Sequence, residues 1–332
     1  MKPVKIAQIG TWHDHAFFTY QCIKSLNEVY DFVGLAEPSG EICLSFKYES
    51  NLITVEELLA MDDLEAVAIE CEEEKATYYA QMFAKRGVAI HLDKPGTQNY
   101  ESFAELINIA KSKKIPFQMG YMYRYNPMIE RCMEDIRQGR LGKVFSIEAQ
   151  MSVCHPEEKR RWLGNYKGGM MYFLGCHLID LIMKIQGTPK RIIPLNTCTE
   201  DTLLNGAEDF GFVILDYGYG YSFVKVCACE TNGFERRQLV VLGTEGTFEI
   251  KPIERKMTKN DSEFISKAHV TYKSDVTDIW RDNSFELVSD TYDRYKPMML
   301  DFAAYTRGDK ENPYTYDYEL ELFKLIMKCC GM

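Results

Sequence analysis

Positive charge is the first thing this sequence lacks. Lys and Arg number 39 against 49 Asp and Glu, a formal net charge of -10 over 332 residues. That balance argues against a nucleic-acid footprint or attraction to an anionic membrane, and any anion site must be local. Long uninterrupted apolar runs are also scarce. The longest, near 170 to 183, carries His177 and Asp180, which speaks against a membrane span. The 11 cysteines are odd in number and fall singly, apart from Cys227-Ala228-Cys229 and Cys329-Cys330. Without a CxxC pair they point to neither zinc nor thiol exchange and read as reduced core residues. The first ten residues look like a strand and not a basic-apolar leader, so a cytoplasmic protein without membrane or nucleic-acid partners is expected.

What is present is the composition of a globular protein, 46% hydrophobic and 27% charged, on a chain long enough for two domains. The first 120 or so residues alternate strand and helix. Val4 to Gly10 is a β-branched run ending in glycine, Ala16 to Tyr30 has helical composition, and Asp31 to Glu37 is a strand ending in an acid. Thr54-Val55-Glu56-Glu57 has capping-box spacing, Leu64 to Ile69 is apolar, Lys75 to Arg86 is a helix closed by Gly87, and a helix follows over Tyr100 to Lys113. Ala89 to Leu92 and Ile115 to Tyr121 are further strands. This alternation predicts α/β architecture with a doubly wound parallel sheet of Rossmann type over residues 1–121.

From residue 122 the character changes. Asn126 is a good N-cap and Pro127 a good first helical residue. Segments rich in Val, Phe, Tyr and Thr at 143–153, 208–216, 220–230 and 236–250 are joined by turns such as Gly243-Thr244-Glu245-Gly246. They predict an α+β domain over 122–332 with a large open, mainly antiparallel sheet, closed by helices near 292–306 and 316–329. Its open face is expected to pair subunits into a homodimer or homotetramer.

Five groups of residues carry chemistry in this reading. After the first strand the turn reads Gly10-Thr11-Trp12-His13-Asp14-His15, where a dinucleotide turn would place glycines at Trp12 and His15. Glu37 ends the second strand, where an acid holds ribose hydroxyls, somewhat beyond the usual spacing of about 20 residues. Asp93-Lys94-Pro95 ends an apolar strand, and an amine at such an edge can hydrogen-bond a hydroxyl or move a proton. Gly168 to Leu181 reads as an apolar helix with His177 and Asp180 on one face. That pair is equally a structural contact or a general base with its orienting acid. Tyr121 and Arg124, at the boundary, suit a polyhydroxylated ligand or ordinary packing. No metal site is expected, because His13 and His15 are neighbours with no distant partner set apparent.

At this point the chain resembles the Gfo/Idh/MocA oxidoreductases, typified by glucose-fructose oxidoreductase and inositol 2-dehydrogenase. The resemblance rests on Asp93-Lys94-Pro95, Gly120 to Pro127, Trp162-Leu163, Gly168-Gly169 and Gly175-Cys176-His177-Leu178-Ile179-Asp180 in that order. It implies hydride transfer between a nicotinamide cofactor and a sugar, polyol or related hydroxyl compound. Lys94 and His177 would be catalytic. Gly10, Thr11, Trp12, His13, Glu37, Cys71, Glu72, Asp93 and Lys94 would hold the cofactor. Tyr121, Arg124, Asn126, Trp162, Tyr172, Phe173, His177 and Asp180 would line the substrate. Pro38-Ser39-Gly40 after Glu37 contains no Arg or Lys, which favours NAD over NADP. The chain departs from the pattern at Phe173, where the family often has an Asp of the proton relay, and at Cys71-Glu72, where a Thr-Pro is usual. Those departures support one alternative, a catalytically silent sugar- or nucleotide-binding homologue, and the resemblance leaves open a second, an NAD-assisted glycoside hydrolase.

Overall fold

The structure, a computed structural model, describes residues 2–257 and 263–332. In the first part of the chain short buried strands alternate with amphipathic helices: β1 (Val4–Ile9), α1 (Ala16–Ser25), β2 (Tyr30–Ala36), α2 (Val55–Ala60), β3 (Ala66–Ile69), α3 (Glu73–Arg86), β4 (Ala89–Leu92), α4 (Tyr100–Lys113) and β5 (Phe117–Met119). The helix ends follow local chemistry. The Thr54 hydroxyl and the Glu57 side chain form a reciprocal capping box on α2, Asn99 caps α4, and α3 stops at Gly87 in the left-handed region. The five strands are parallel in the order β2-β1-β3-β4-β5. Every residue of β3 and β4 is buried, as a strand covered by helices on both faces requires. The strand order reverses between β1 and β3, which makes their carboxyl ends the switch point where such sheets bind ligands.

Two compact units divide the chain: Met1–Tyr121 with Tyr295–Phe323, and Met122–Arg294 with Lys324–Met332. The expectation that everything from 122 onward forms one domain is therefore corrected. Tyr295–Phe323 returns to the first unit because its helix finds partners there. The Tyr30 hydroxyl donates to the Met299 carbonyl, Gln118 Nε2 donates to the Met298 carbonyl at 3.2 Å, and Phe323 stacks on Phe103 with ring centroids 4.4 Å apart.

The second unit continues with α5 (Pro127–Arg137), β6 (Val144–Ser152), α6 (Glu157–Trp162), α7 (Cys176–Gln186), β7 (Arg191–Pro194), α8 (Asp201–Leu204), β8 (Phe210–Asp216), β9 (Tyr221–Cys227), β10 (Gln238–Gly243) and β11 (Gly246–Ile250). Then come β12 (Arg255–Lys256), β13 (Glu263–Ile265), β14 (Lys267–Tyr272), β15 (Phe285–Val288) and β16 (Tyr292–Asp293). Among the described residues the large sheet has eight strands in the order β15-β14-β11-β10-β6-β9-β8-β7, and β12, β13 and β16 form a small one. All pairings in the large sheet are antiparallel except β6 with β9. The mixed α/β plus mainly antiparallel architecture agrees with the reading of the sequence. The closing helices are α9 (Lys296–Arg307) and α10 (Tyr316–Cys329), and residues 292 and 293, expected in the first of them, are strand.

The stretch 168–181 also differs from one continuous helix. Met171–Gly175 winds as a π-helical turn before α7 begins, an insertion that often accompanies functional side chains. The glycines ahead of it serve the chain's own backbone. A Cβ on Gly168 would lie 2.5 Å from Cys330, and one on Gly169, at φ +41°, would lie 2.2 Å from the Glu208 carbonyl oxygen.

Candidate active site

In the first unit the site is built at the carboxyl ends of β1, β3 and β4. Gly10, at φ +93°, ends β1, and a Cβ there would sit 2.4 Å from the Cys71 backbone, so only glycine lets the two strand ends approach. Trp12 turns away, 45% exposed, with its indole N–H donating to the Glu41 carbonyl at 2.8 Å. His15, the N-cap residue of α1, does not cap the helix with its side chain, and no acid lies in the first turn of α1. The backbone amides of that helix end favour an anion, against the neighbouring Asp93 carboxylate.

Glu37 is held in place. One carboxylate oxygen accepts from the Thr11 hydroxyl at 2.7 Å, and the other accepts from the Ser39 amide at 2.9 Å and the Ser39 hydroxyl at 2.8 Å. A cleft of about 430 Å³ opens beside it, lined by Glu37, Pro38, Gly40, Ile53, Tyr79 and Met82 among others. Glu72 points to solvent and pairs with Lys75 at 2.8 Å, whereas Glu73 is buried. Burial pushes the Cys71 thiol up, so it stays neutral.

The structure buries the end of β4, where the sequence places an amine able to hydrogen-bond a hydroxyl or move a proton. Lys94 is 1% exposed and Asp93 5%. Asp93 is the hub of a buried cluster. Its Oδ1 accepts from the Lys94 amide at 2.7 Å, its Oδ2 is in direct contact with His13 Nδ1, and His15 Nδ1 lies 3.0 Å from the same oxygen. Gly120 makes room, since a Cβ there would fall 2.5 Å from Asp93 Oδ1. Behind the cluster Glu70, fully buried at the end of β3, has Oε2 3.8 Å from His13 Nδ1 and Oε1 3.9 Å from His91 Nε2.

The electrostatics follow from burial and from one carboxylate shared by two imidazoles. Burial alone would raise Asp93, but the two histidines outweigh it and hold its carboxyl well below the usual range. Burial, and then the neighbouring Asp93 charge, push the Glu70 carboxyl well above its usual range. Burial opposes a charge on His13, yet Asp93 prevails and raises it, while burial takes His15 down to about 4.

The second unit holds the remaining residues, and most are satisfied by their own chain. Arg124 donates to Asp180 through Nε and Nη2, both at 2.8 Å, with each side chain 2% exposed. Asp180, read as the partner of His177, is clamped by a guanidinium. His177, 2% exposed, meets the Tyr123 ring edge-on at a centroid distance of 4.9 Å. Asn126 Oδ1 accepts from the amides of Met128 and Ile129, and its Nδ2 donates to the Ile253 carbonyl and the Tyr292 hydroxyl, both at 2.8 Å. All of its hydrogen-bonding capacity goes to capping and bracing, which corrects its reading as a ligand contact. Tyr172 stacks on Tyr166, and Phe173 meets Trp162 edge-on with the Lys159 ammonium over both rings, an aromatic cluster within the unit. Tyr121 is buried at the end of the first unit.

The parallel sheet, with its switch point between β1 and β3, has the form of a Rossmann-type nucleotide-binding fold. Residues 129–249 match the family described as the GFO/IDH/MocA C-terminal domain. Curated relatives include an uncharacterized oxidoreductase of Schizosaccharomyces pombe, 25% identical over 75% of this chain and 70% of its own. Another is D-xylose 1-dehydrogenase (NADP(+)) 2 of Haloferax volcanii, 26% identical over 59% of each chain. In fold, a 3-ketoreductase from Actinomadura kijaniata in complex with NADP superposes with a TM-score of 0.77 at 13% identity, covering 98% of this chain and 96% of that one. Over residues 129–249 the chain is thus similar to the GFO/IDH/MocA C-terminal domain, and the curated relatives it resembles are named oxidoreductases. No helix among the described residues is long and apolar enough to cross a membrane.

Proposed function

We propose that the chain is an NAD-dependent oxidoreductase that moves a hydride between nicotinamide and a sugar, polyol or related hydroxyl compound. The observation that carries the cofactor reading is Glu37, whose carboxylate is oriented by Thr11 and Ser39 beside a cleft and is followed by no cation. An acid so placed suits two ribose hydroxyls and would repel a 2′-phosphate. The amino end of α1 would take the pyrophosphate. The bound nicotinamide supplies the hydride chemistry. The chain's own part is to position and to handle the proton. Lys94, buried at the end of β4, is proposed to hydrogen-bond the reacting hydroxyl, and His177 to exchange its proton. The relative named D-xylose 1-dehydrogenase supports this substrate class.

The deciding experiment is fluorescence titration with NADH and NADPH. Saturable NADH binding, weaker for NADPH, is expected, and no binding of either at millimolar concentration overturns the reading. Given a substrate, Lys94→Ala should lower turnover by about 100-fold or more. Phe173, enclosed among Trp162, His155 and the Lys159 ammonium where the family often has a relay acid, favours one other reading, a silent sugar-binding homologue. Sugar binding without cofactor-dependent turnover would select it.

A further inference from the structure

Two histidines that the sequence leaves without a partner acquire one in the fold. His13 and His15 follow β1, Asp93 ends β4, and β3 lies between those strands with Glu70 at its end. The sheet thus brings together at one edge groups far apart in the chain. One ligand atom from each of His13, His15 and Asp93 lies within 4.8 Å of the others. Both imidazoles turn Nδ1 toward the same oxygen, Asp93 Oδ2, and their rings meet edge-on with centroids 5.1 Å apart. His13 Nε2 is buried with no hydrogen-bond partner among the described residues. Glu73 Oε1 stands 3.8 Å from that atom and Glu70 Oε2 3.8 Å from His13 Nδ1.

We propose that His13, His15 and Asp93 form a binding site for a first-row divalent cation, Zn²⁺ foremost. Two imidazoles and a carboxylate make a donor set that suits Zn²⁺, Fe²⁺ or Co²⁺, whereas Mg²⁺ and Ca²⁺ require oxygen ligands. Ligand atoms around a tetrahedral ion at the usual bond lengths lie roughly 3.3 Å apart, so the cluster closes on an ion with small side-chain movements. Glu70 and Glu73 supply the outer carboxylates that orient ligating imidazoles. The Lys94 ammonium, whose field reaches both histidines, opposes a cation, against the Asp93 and Glu73 carboxylates that favour one. His15 has a side chain 16% exposed, which gives the ion a route from solvent. Three protein ligands leave a tetrahedral ion one further position for water or an oxygen of a bound molecule. The site does not depend on the cofactor reading, because the ion is held by the chain alone.

The test uses the full chain stripped with chelator and titrated with Co²⁺, followed by visible absorption and displacement by Zn²⁺ in a calorimeter. One ion per chain, a ligand-field spectrum of nitrogen and oxygen donors, displacement by Zn²⁺ and none by Mg²⁺ are expected. His15→Ala and Asp93→Asn should each weaken binding by about 100-fold. Circular dichroism shows whether each variant is folded, and if Asp93→Asn is not, His15→Ala decides. A cobalt-thiolate charge-transfer band would put the ion on the cysteines and overturn the proposal. So would the absence of saturable binding at millimolar Co²⁺, or a folded His15→Ala with unchanged affinity.

Discussion

Both units bury carboxylates, but they neutralise them differently. In the second unit Asp180 is clamped by Arg124, Asp209 accepts from Arg160 Nε at 2.9 Å, Asp135 lies 3.0 Å from both Arg131 and Arg140, and Glu254 accepts from Arg237 and Arg294. Each buried acid there has at least one guanidinium, a cation that never titrates and whose planar fork matches a carboxylate. At the edge of the first unit, Asp93 and Glu70 face imidazoles instead. Imidazoles change charge near neutral pH and bind metals. A buried acid matched to arginine completes a structure, whereas one matched to histidine leaves a charge balance that a ligand can shift. The first arrangement is a brace, the second a candidate site.

The largest expected effect tests the brace. Arg124→Ala leaves Asp180 buried without its guanidinium and should cost about 3–5 kcal/mol of stability, measured by denaturant unfolding. A loss below about 1 kcal/mol would show that Asp180 is not committed to structure and return it to His177. The equivalent disruption at the histidine edge should cost less. Asp93→Asn removes a charge already counted against burial and keeps an acceptor, so about 1–3 kcal/mol is expected in chelator-treated protein. Equal losses for the two variants would erase the distinction between the units. Gly120→Ala probes the same edge sterically, because its Cβ would lie 2.5 Å from Asp93 Oδ1. It should cost about 1–3 kcal/mol, with displaced chemical shifts at His13 and His15 by NMR.

The contrast explains what the sequence disclosed. Local devices were readable because they are encoded within a few residues: Thr54 with Glu57, Asn126 with Pro127, Gly87 after Arg86. So was the strand-helix alternation behind the parallel sheet and the antiparallel character of the second unit. The return of Tyr295–Phe323 to the first unit was not, since an apolar helix face does not specify which sheet it covers. Asn126 shows a different limit: its N-cap role was legible, but its Nδ2 partners, Ile253 and Tyr292, are fixed only by the small sheet around β12 and β16. His13 and His15 looked partnerless for the same reason. Their carboxylate is 78 residues away from His15 and becomes adjacent only through the order β1-β3-β4. Arg124 and Asp180 each looked like a ligand contact alone, and only their 2.8 Å pairing shows that they satisfy one another.

The smallest expected effect sharpens the brace by titration. Tyr123 donates its hydroxyl to Glu254, and burial, followed by the Glu254 charge, pushes its phenol up to about 12. The folded protein therefore holds that proton through a range where the unfolded chain, with a phenol near the ordinary 10, gives it up. With more protons bound in the folded state, stability is fully present below pH about 10 and falls as pH rises toward 12. Tyr123→Phe deletes both the hydrogen bond and the titration. At pH 7 it should cost about 0.5–1.5 kcal/mol, and its stability should decline less steeply than the wild type's between pH about 10 and 12, as followed by urea unfolding at each pH. Parallel slopes for the two proteins would mean that Tyr123 ionises as freely in the fold as in the unfolded chain, and that Glu254 is neutralised by Arg237 and Arg294 without help from the phenol.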